Sequence, residues 1–254
     1  MSFRIAIPAR YASTRLPGKP LRLIAGRPLI VRSVERALAC GAGEVIVATD
    51  HEAIAEAVSA LPVRVCMTPP DLATGSDRLA WCARALAWPD DDIVINLQGD
   101  EPLVPVEAVR LVVETLRTGS APVATLATPI HDAAEAFDPN VVKVVCDNAG
   151  LALYFSRAPI PWQRDAFARD RSVLPEHAGF LRHLGLYGYR AGFLRGFPSL
   201  PPSVLEAAES LEQLRILAAG VRIAIATVAE RLPPGVDCEE DIARVEAVLA
   251  GEGA

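Results

Sequence analysis

Asp92-Ile-Val-Ile-Asn-Leu-Gln-Gly-Asp-Glu-Pro102 is the stretch on which the fold turns. Its first half is the short apolar run of a strand buried on both faces. Its second half becomes polar at once, with Gln98, Asp100 and Glu101 directly behind the strand. A helix is expected from Val106 to Arg117. Open sheets of parallel strands bind ligands outside the strands' carboxyl ends, so residues 98–102 are where a site is expected. The same rhythm of β-rich runs and amphipathic segments extends toward the N-terminus. Strands are expected at Phe3 to Ala9, Glu44 to Asp50 and Val63 to Met67. Between them lie a helix started by Pro28 and stopped by Gly41, one N-capped by Asp50 through Leu61, and one capped by Ser76 to about Ala87. Repeated βα units predict an α/β fold with a mostly parallel sheet and helices on both faces.

Beyond Pro122 the pattern changes. Val141 to Cys146 and Leu151 to Ser156 flank Asp147-Asn-Ala-Gly150 and predict an antiparallel hairpin. Ala158 to Arg182 carries prolines and mixed charges without a period and reads as a long loop, ordered or mobile, of the kind that serves as a lid. A strand from His183 to Arg190, a helix from Val204 to Ala219, a strand from Val221 to Val228 and a helix from Glu239 to Leu249 complete the expectation. The whole of 1–254 reads as one α/β domain with an embedded antiparallel lobe over about 130–200.

Composition narrows the function. The 254 residues are 51% hydrophobic and 22% charged, ample for a core, and the net charge is −6. An acidic balance without a basic block argues against nonspecific nucleic-acid or anionic-membrane binding. No apolar run reaches the roughly 18 residues of a membrane span, and the N-terminus lacks a signal peptide's long apolar region. The five cysteines form no CxxC pair and leave one over, the usage expected of reduced thiols in the cytoplasm rather than of disulfides or structural zinc. Lysine occurs only at Lys19 and Lys143.

Two constellations carry chemistry. Ile7-Pro-Ala-Arg-Tyr-Ala-Ser-Thr-Arg-Leu-Pro-Gly-Lys-Pro20 follows the first strand and places Arg10, Arg15 and Lys19 on one loop, where they can converge on a polyphosphate. Arginine neutralises phosphate as a fork and lysine as a point charge, and glycine permits close backbone approach. The loop matches neither GxxxxGK[ST] nor GxGxxG, and the competing reading is a surface loop with solvated cations. In the second constellation Asp100 is placed to hold Mg²⁺, which takes one or two protein carboxylates along with waters and phosphate oxygens. A Gly-Asp turn is the competing reading. Asp237, before the last helix, offers a second carboxylate or a helix cap.

Ile7 to Pro20, Val47 to His51, Asn96 to Pro102, Leu151 to Arg157, Phe180 to Arg190, Leu211 to Arg215 and Gly235 to Asp237 occur in this order, and together they resemble the 3-deoxy-manno-octulosonate (Kdo) cytidylyltransferases of lipopolysaccharide synthesis. The likeness spans essentially the whole chain. It implies a Rossmann-like fold of the nucleotide-diphospho-sugar transferase type, Mg²⁺-dependent transfer of CMP from CTP to Kdo with release of pyrophosphate, and a homodimer. Carried over by position, Ala9, Arg10, Arg15, Lys19, Ser76 and Arg78 would bind the nucleotide. Asp100 and Asp237 would hold the metal, and Arg10, Lys19, Asp100 and Asp237 would carry catalysis. Gln98, Arg157, His183, Tyr187, Glu212 and Gln213 match the sugar pocket, where a cation for the acid's carboxylate and partners for its hydroxyls are needed. Many relatives have Thr-Glu where this chain has Ser76-Asp77.

Ordinary structural roles compete for each of these residues: a surface ion pair for Arg157, core polar groups for His183 and Tyr187, a helix-surface charge for Glu212. Lys143, between Val141, Val142, Val144 and Val145, reads either as an edge-strand lysine that discourages aggregation or as a substrate contact. His51 reads as first-turn helix chemistry, and His131 and His177 show no metal spacing. Two alternative functions remain: CMP transfer to another acidic keto-sugar such as sialic acid or 8-amino-Kdo, or a catalytically silent nucleotide-binding module. Tyr11-Ala-Ser-Thr14 favours Kdo, and retention of both aspartates argues against the silent module.

Overall fold

Ile5, Ile7, Val45 to Ala48 and Val94 to Ile95 are almost wholly withdrawn from solvent, as apolar runs must be in strands covered on both faces. They belong to the first of two compact units into which the chain divides. A computed structural model of the chain describes residues 2–12, 16–176 and 178–252. The expected site residue Arg15 lies outside that range, as does His177. The first unit takes in Met1–Val113, Gly188–Pro198 and Leu232–Ala254, and the second Glu114–Tyr187 and Ser199–Arg231. The second is larger than the antiparallel lobe expected over 130–200.

Through the first part of the chain run β1 (Arg4–Ala9), β2 (Leu23–Ile24), β3 (Arg27–Pro28), α1 (Leu29–Ala39), β4 (Glu44–Thr49), α2 (Glu52–Val58), β5 (Arg64–Met67), α3 (Gly75–Ala85), β6 (Ile93–Asn96) and α4 (Val106–Thr118). Strands β6, β1, β4 and β5 lie side by side in that order, with β1 parallel to both its neighbours and β4 parallel to β5. The expected βα rhythm is therefore present. Two caps differ from expectation. His51, not Asp50, caps α2, its Nδ1 accepting the Ala53 N–H at 3.2 Å. Thr74, not Ser76, caps α3 in a reciprocal box with Asp77, because Thr74 and not Ser76 stands three residues before an acid able to return the bond.

The remaining elements are β7 (Val123–Pro129), α5 (Ala133–Phe137), β8 (Lys143–Cys146), β9 (Ala152–Ser156), α6 (Arg164–Phe167), β10 (Leu181–Arg190), α7 (Ala191–Gly196), α8 (Val204–Glu209), α9 (Gln213–Ala218), β11 (Ile223–Thr227) and α10 (Glu239–Glu252). The expected hairpin is β8–β9, antiparallel, and β8 also pairs antiparallel with the start of β10. β7, rich in small Ala and Thr and without an expected strand, pairs parallel with β11. The single helix expected over 204–219 is broken at Ser210, whose φ of 52° takes the chain out of the helical region. Residues 158–182 are not a bare loop. Phe167 and Phe180 pack in a buried cluster with Ile130, Ala136, Val141 and Ala178, and Gln163 Nε2 donates to the Ala178 carbonyl at 2.7 Å. Two buried aromatics therefore anchor the segment.

Lys143 is also placed differently from either expectation. It is fully buried, so it neither guards an exposed edge nor reaches into solvent for a ligand.

Candidate active site

Parallel register sets the carboxyl ends of β1, β4 and β6 next to one another, pairing Ala9 with Thr49 and Ala6 with Asn96. The segments that leave these strands bound a cleft of about 320 Å³ in the first unit. Pro8, Ala9 and Arg10 come from β1 and its exit, Lys19 and Pro20 from the following loop, Thr74, Gly75 and Arg78 from the start of α3, Gln98, Gly99 and Asp100 from behind β6, and Asp237 from before α10. The N-terminus of an eleven-residue helix thus forms one wall, and the helix dipole favours an anion there. Gly75 belongs in that wall because a Cβ on it would stand 3.2 Å from the Pro8 ring.

Asp100 and Asp237, 137 positions apart in the chain, are brought together by packing. Leu16, Ile24 and Leu29, around the basic loop, share a buried cluster with Leu103, Val236 and Val245. The Val236 N–H then donates to the Asp100 carbonyl at 2.9 Å. Gly235 allows this approach, since a Cβ there would meet that same carbonyl oxygen at 3.0 Å. Lys19 Nζ lies between the two carboxylates, 2.5 Å from Asp100 Oδ2 and 2.9 Å from Asp237 Oδ1. Burial by itself would lower the Lys19 pKa, but the hydrogen bonds and charges of Asp100 and Asp237 outweigh it, and the pKa is raised. Next to them Glu101 is pushed up to about 7 by burial and then by the Asp100 charge, and its Oε2 has no hydrogen-bond partner among the described residues.

The fit to a metal follows from this triangle. Two carboxylates that share one ammonium hold a cation-sized position between them. Among the described residues no group of three or more His, Cys, Asp or Glu could enclose a metal, and two carboxylates suit an ion that keeps water and phosphate oxygens in its remaining positions.

Arg10 lines the cleft with its side chain exposed. Arg78 reaches the wall but is buried and engaged, Nη2 with Asp50 Oδ2 at 2.7 Å and Nη1 with Thr68 Oγ1 at 2.5 Å. Ser76 is buried outside the lining. Asp50 also accepts the Tyr11 N–H at 3.3 Å, and the Tyr11 ring stacks on His51 with centroids 4.0 Å apart. The basic loop is therefore tied to the exit of β4 and, through Arg78, to α3. Sequence reasoning did not find this role of Asp50, and the acid's position at a strand end is the only local sign of it.

Of the residues expected in a sugar pocket, Gln98 lies in the cleft of the first unit. Arg157, His183, Tyr187, Glu212 and Gln213 all belong to the second. Four positions apart on β10, His183 and Tyr187 share a face with ring centroids 5.4 Å apart. Phe155 of β9 meets the His183 ring edge-on at 5.0 Å, and Thr125 Oγ1 lies 3.3 Å from its Nε2. Burial pushes the His183 pKa down to about 3, leaving the ring neutral near pH 7. Arg157 follows β9 directly, and α9, with Glu212 and Gln213 at its start, packs against β9. Gln213 Nε2 is buried with no partner among the described residues. Arg157, His183 and the start of α9 thus adjoin β9, and Tyr187 adjoins His183.

A basic loop, a helix N-terminus and two aspartates on one cation fit the class of nucleotidyltransferases, which must hold a polyphosphate and stabilise the charge of its leaving part. A family model described as cytidylyltransferase matches residues 5–223. The chain is 56% identical to a 3-deoxy-manno-octulosonate cytidylyltransferase of Stenotrophomonas maltophilia (strain K279a), over 97% of this chain and 96% of that one. It is also 56% identical to the enzyme of that name from Xanthomonas campestris pv. campestris (strain 8004), over 97% and 99%. A solved structure of CMP:2-keto-3-deoxy-manno-octonic acid synthetase complexed with CTP superposes with a TM-score of 0.86 at 44% identity, covering 99% of this chain and all of that one. The chain belongs to the cytidylyltransferase family and groups within it with the 3-deoxy-manno-octulosonate cytidylyltransferases. A 4-diphosphocytidyl-2C-methyl-D-erythritol synthase at 15% identity and a TM-score of 0.64 shares the fold alone.

Proposed function

We propose that this protein transfers CMP from CTP to Kdo, releasing pyrophosphate and activating the sugar for lipopolysaccharide synthesis. The observation that carries the reading is Lys19 held between Asp100 and Asp237 in a cleft walled by the start of α3, in a chain 56% identical to Kdo cytidylyltransferases. The anomeric hydroxyl oxygen of Kdo attacks the α-phosphorus, the bond from that phosphorus to the bridging oxygen of the β-phosphate breaks, and the hydroxyl proton passes to solvent. No covalent bond to the protein is required.

Arg10, Lys19 and the N–H groups at the start of α3 bind the triphosphate and stabilise the charge that grows on the departing pyrophosphate. Asp100 and Asp237 would hold Mg²⁺, which would supply neutralisation of the phosphate charge. Lys19, between those carboxylates in the cleft, supplies a point charge toward the phosphates. Arg157 takes the carboxylate of the sugar, and neutral His183 with Tyr187, Glu212 and Gln213 offers hydrogen bonds to its hydroxyls.

Pyrophosphate release measured with CTP or UTP and a panel of acidic sugars tests the reading. CTP with Kdo should be preferred, and equal turnover of UTP or a preference for sialic acid would reject it. The reading includes a cytoplasmic homodimer. The five cysteines are all unpaired thiols, and no described helix is long and apolar enough to cross a membrane. A concentration-independent monomer mass in light scattering would reject the dimer.

A further inference from the structure

Lys143 is a fully buried lysine that no part of the reaction above uses. Its Nζ donates to three backbone carbonyls, those of Val141 at 2.6 Å, Arg157 at 2.7 Å and Asp138 at 2.9 Å. Among the described residues no carboxylate is hydrogen-bonded to it. Burial lowers its pKa, with the charges of Asp138, Glu209 and Glu135 opposing and that of Arg157 assisting. An ammonium aimed at three carbonyls is an expensive way to fill an apolar position, so its worth must lie in what the carbonyls hold.

All three belong to the frame of one guanidinium. Arg157 Nη1 donates to the Pro139 carbonyl at 2.9 Å, inside the 138–141 turn that Lys143 ties at both ends, and Arg157 Nε donates to the Glu209 carbonyl at 2.7 Å. The Glu209 carboxylate accepts the Arg157 N–H at 2.9 Å and the Ser156 hydroxyl at 2.6 Å. Lys143 therefore grips the backbone of Arg157 and the turn against which its side chain rests. Arg157 Nη2 has no partner among the described residues, so the frame leaves one N–H₂ group to a ligand.

We infer that Lys143 is the positioning residue that fixes Arg157 for recognition of the acidic sugar's carboxylate, acting on the sugar and not on the nucleotide. The inference rests on the proposed role of Arg157. Steady-state kinetics on Lys143→Gln, Arg157→Ala and the double variant test it, with thermal melting as the control for folding. Lys143→Gln should raise KM for Kdo at least about tenfold, while kcat and KM for CTP stay within about twofold. In the Arg157→Ala background the same change should have no further effect on KM for Kdo, because two residues acting through one contact are not additive. A general structural role would instead lower active-site content or move both KM values together.

If Arg157→Ala leaves KM for Kdo unchanged, the role of Arg157 is wrong. If Arg157→Ala raises it and Lys143→Gln does not, or the two effects multiply, only the inference on Lys143 is overturned. Should Lys143→Gln fail to fold, Lys143→Arg carries the same test, since it keeps a cation in the space without three N–H groups converging on those carbonyls. If neither variant folds, Lys143 serves stability and the inference falls.

Discussion

The two lysines of this chain sit in opposite electrostatic situations. Lys19 faces an open cleft between two carboxylates that raise its pKa. Lys143 is enclosed among neutral carbonyls, and burial lowers its pKa. A cation beside charges of opposite sign can be displaced by another cation, and phosphate can recruit it. One locked into backbone carbonyls has nowhere to go, and its value is geometric. The charge of Lys19 is placed to act on a ligand, and that of Lys143 holds backbone in place.

The largest effect that could break this contrast lies in the first unit. Asp100→Asn or Asp237→Asn should lower kcat on the order of a hundredfold or more with the fold retained, as expected when a metal's carboxylate is removed. Unchanged turnover and Mg²⁺ dependence in both variants would remove the aspartates from the mechanism. Next comes Lys19→Ala, expected to lower kcat on the order of a hundredfold, the usual loss when one donor to a developing anion is deleted. If kcat holds and only KM for CTP rises, Lys19 contributes uniform binding.

In the second unit Arg157→Ala should raise KM for Kdo on the order of tenfold to a hundredfold, because a charge-assisted bond is worth roughly 1.5–3 kcal/mol. KM for CTP should hold. A change in both would show that the two regions do not divide the work as proposed. Arg182 is engaged with Glu135 at 2.9 Å, while Arg164 is exposed and paired with its neighbour Asp165.

The smallest effect concerns pH. His183 titrates at about 3 in the folded protein and near 6.5 when unfolded. Between these values the unfolded chain binds the extra proton, so the stability is complete above about pH 6.5 and is lost as pH falls toward 3. Melting temperature should drop on acidification from pH 7 to 5, and His183→Gln should flatten that drop by a few degrees. Identical slopes in the two proteins would show that His183 is not held neutral by burial.

Local sequence made the βα units of the first half legible, because Ile93 to Ile95 and their counterparts combine apolar content with clear stops. It was less informative where one residue's backbone decides the element. Ser210 leaves the helical region within an otherwise helical stretch, and Thr74 takes the cap beside an equally plausible Ser76. Residues 158–182 carry no period because two aromatics anchor them rather than a continuous face.

Residue types on the loop after β1, behind β6 and before α10 pointed to Lys19, Asp100 and Asp237, since polyphosphate chemistry requires cations and a metal requires carboxylates. Their meeting was settled only by tertiary structure, through the apolar cluster that seats Val236 and Val245 beside Leu16 and the contact of Gly235 with the Asp100 carbonyl. Lys143 is the converse case. Five residues of sequence around it left an edge-strand lysine and a substrate contact equally open, and only the folding of Asp138, Val141 and Arg157 about its ammonium buried it. Pattern records what each segment prefers over a few residues. The partners of a charge come from segments far apart in the chain, and burial and hydrogen-bond demand select them only when the chain has folded.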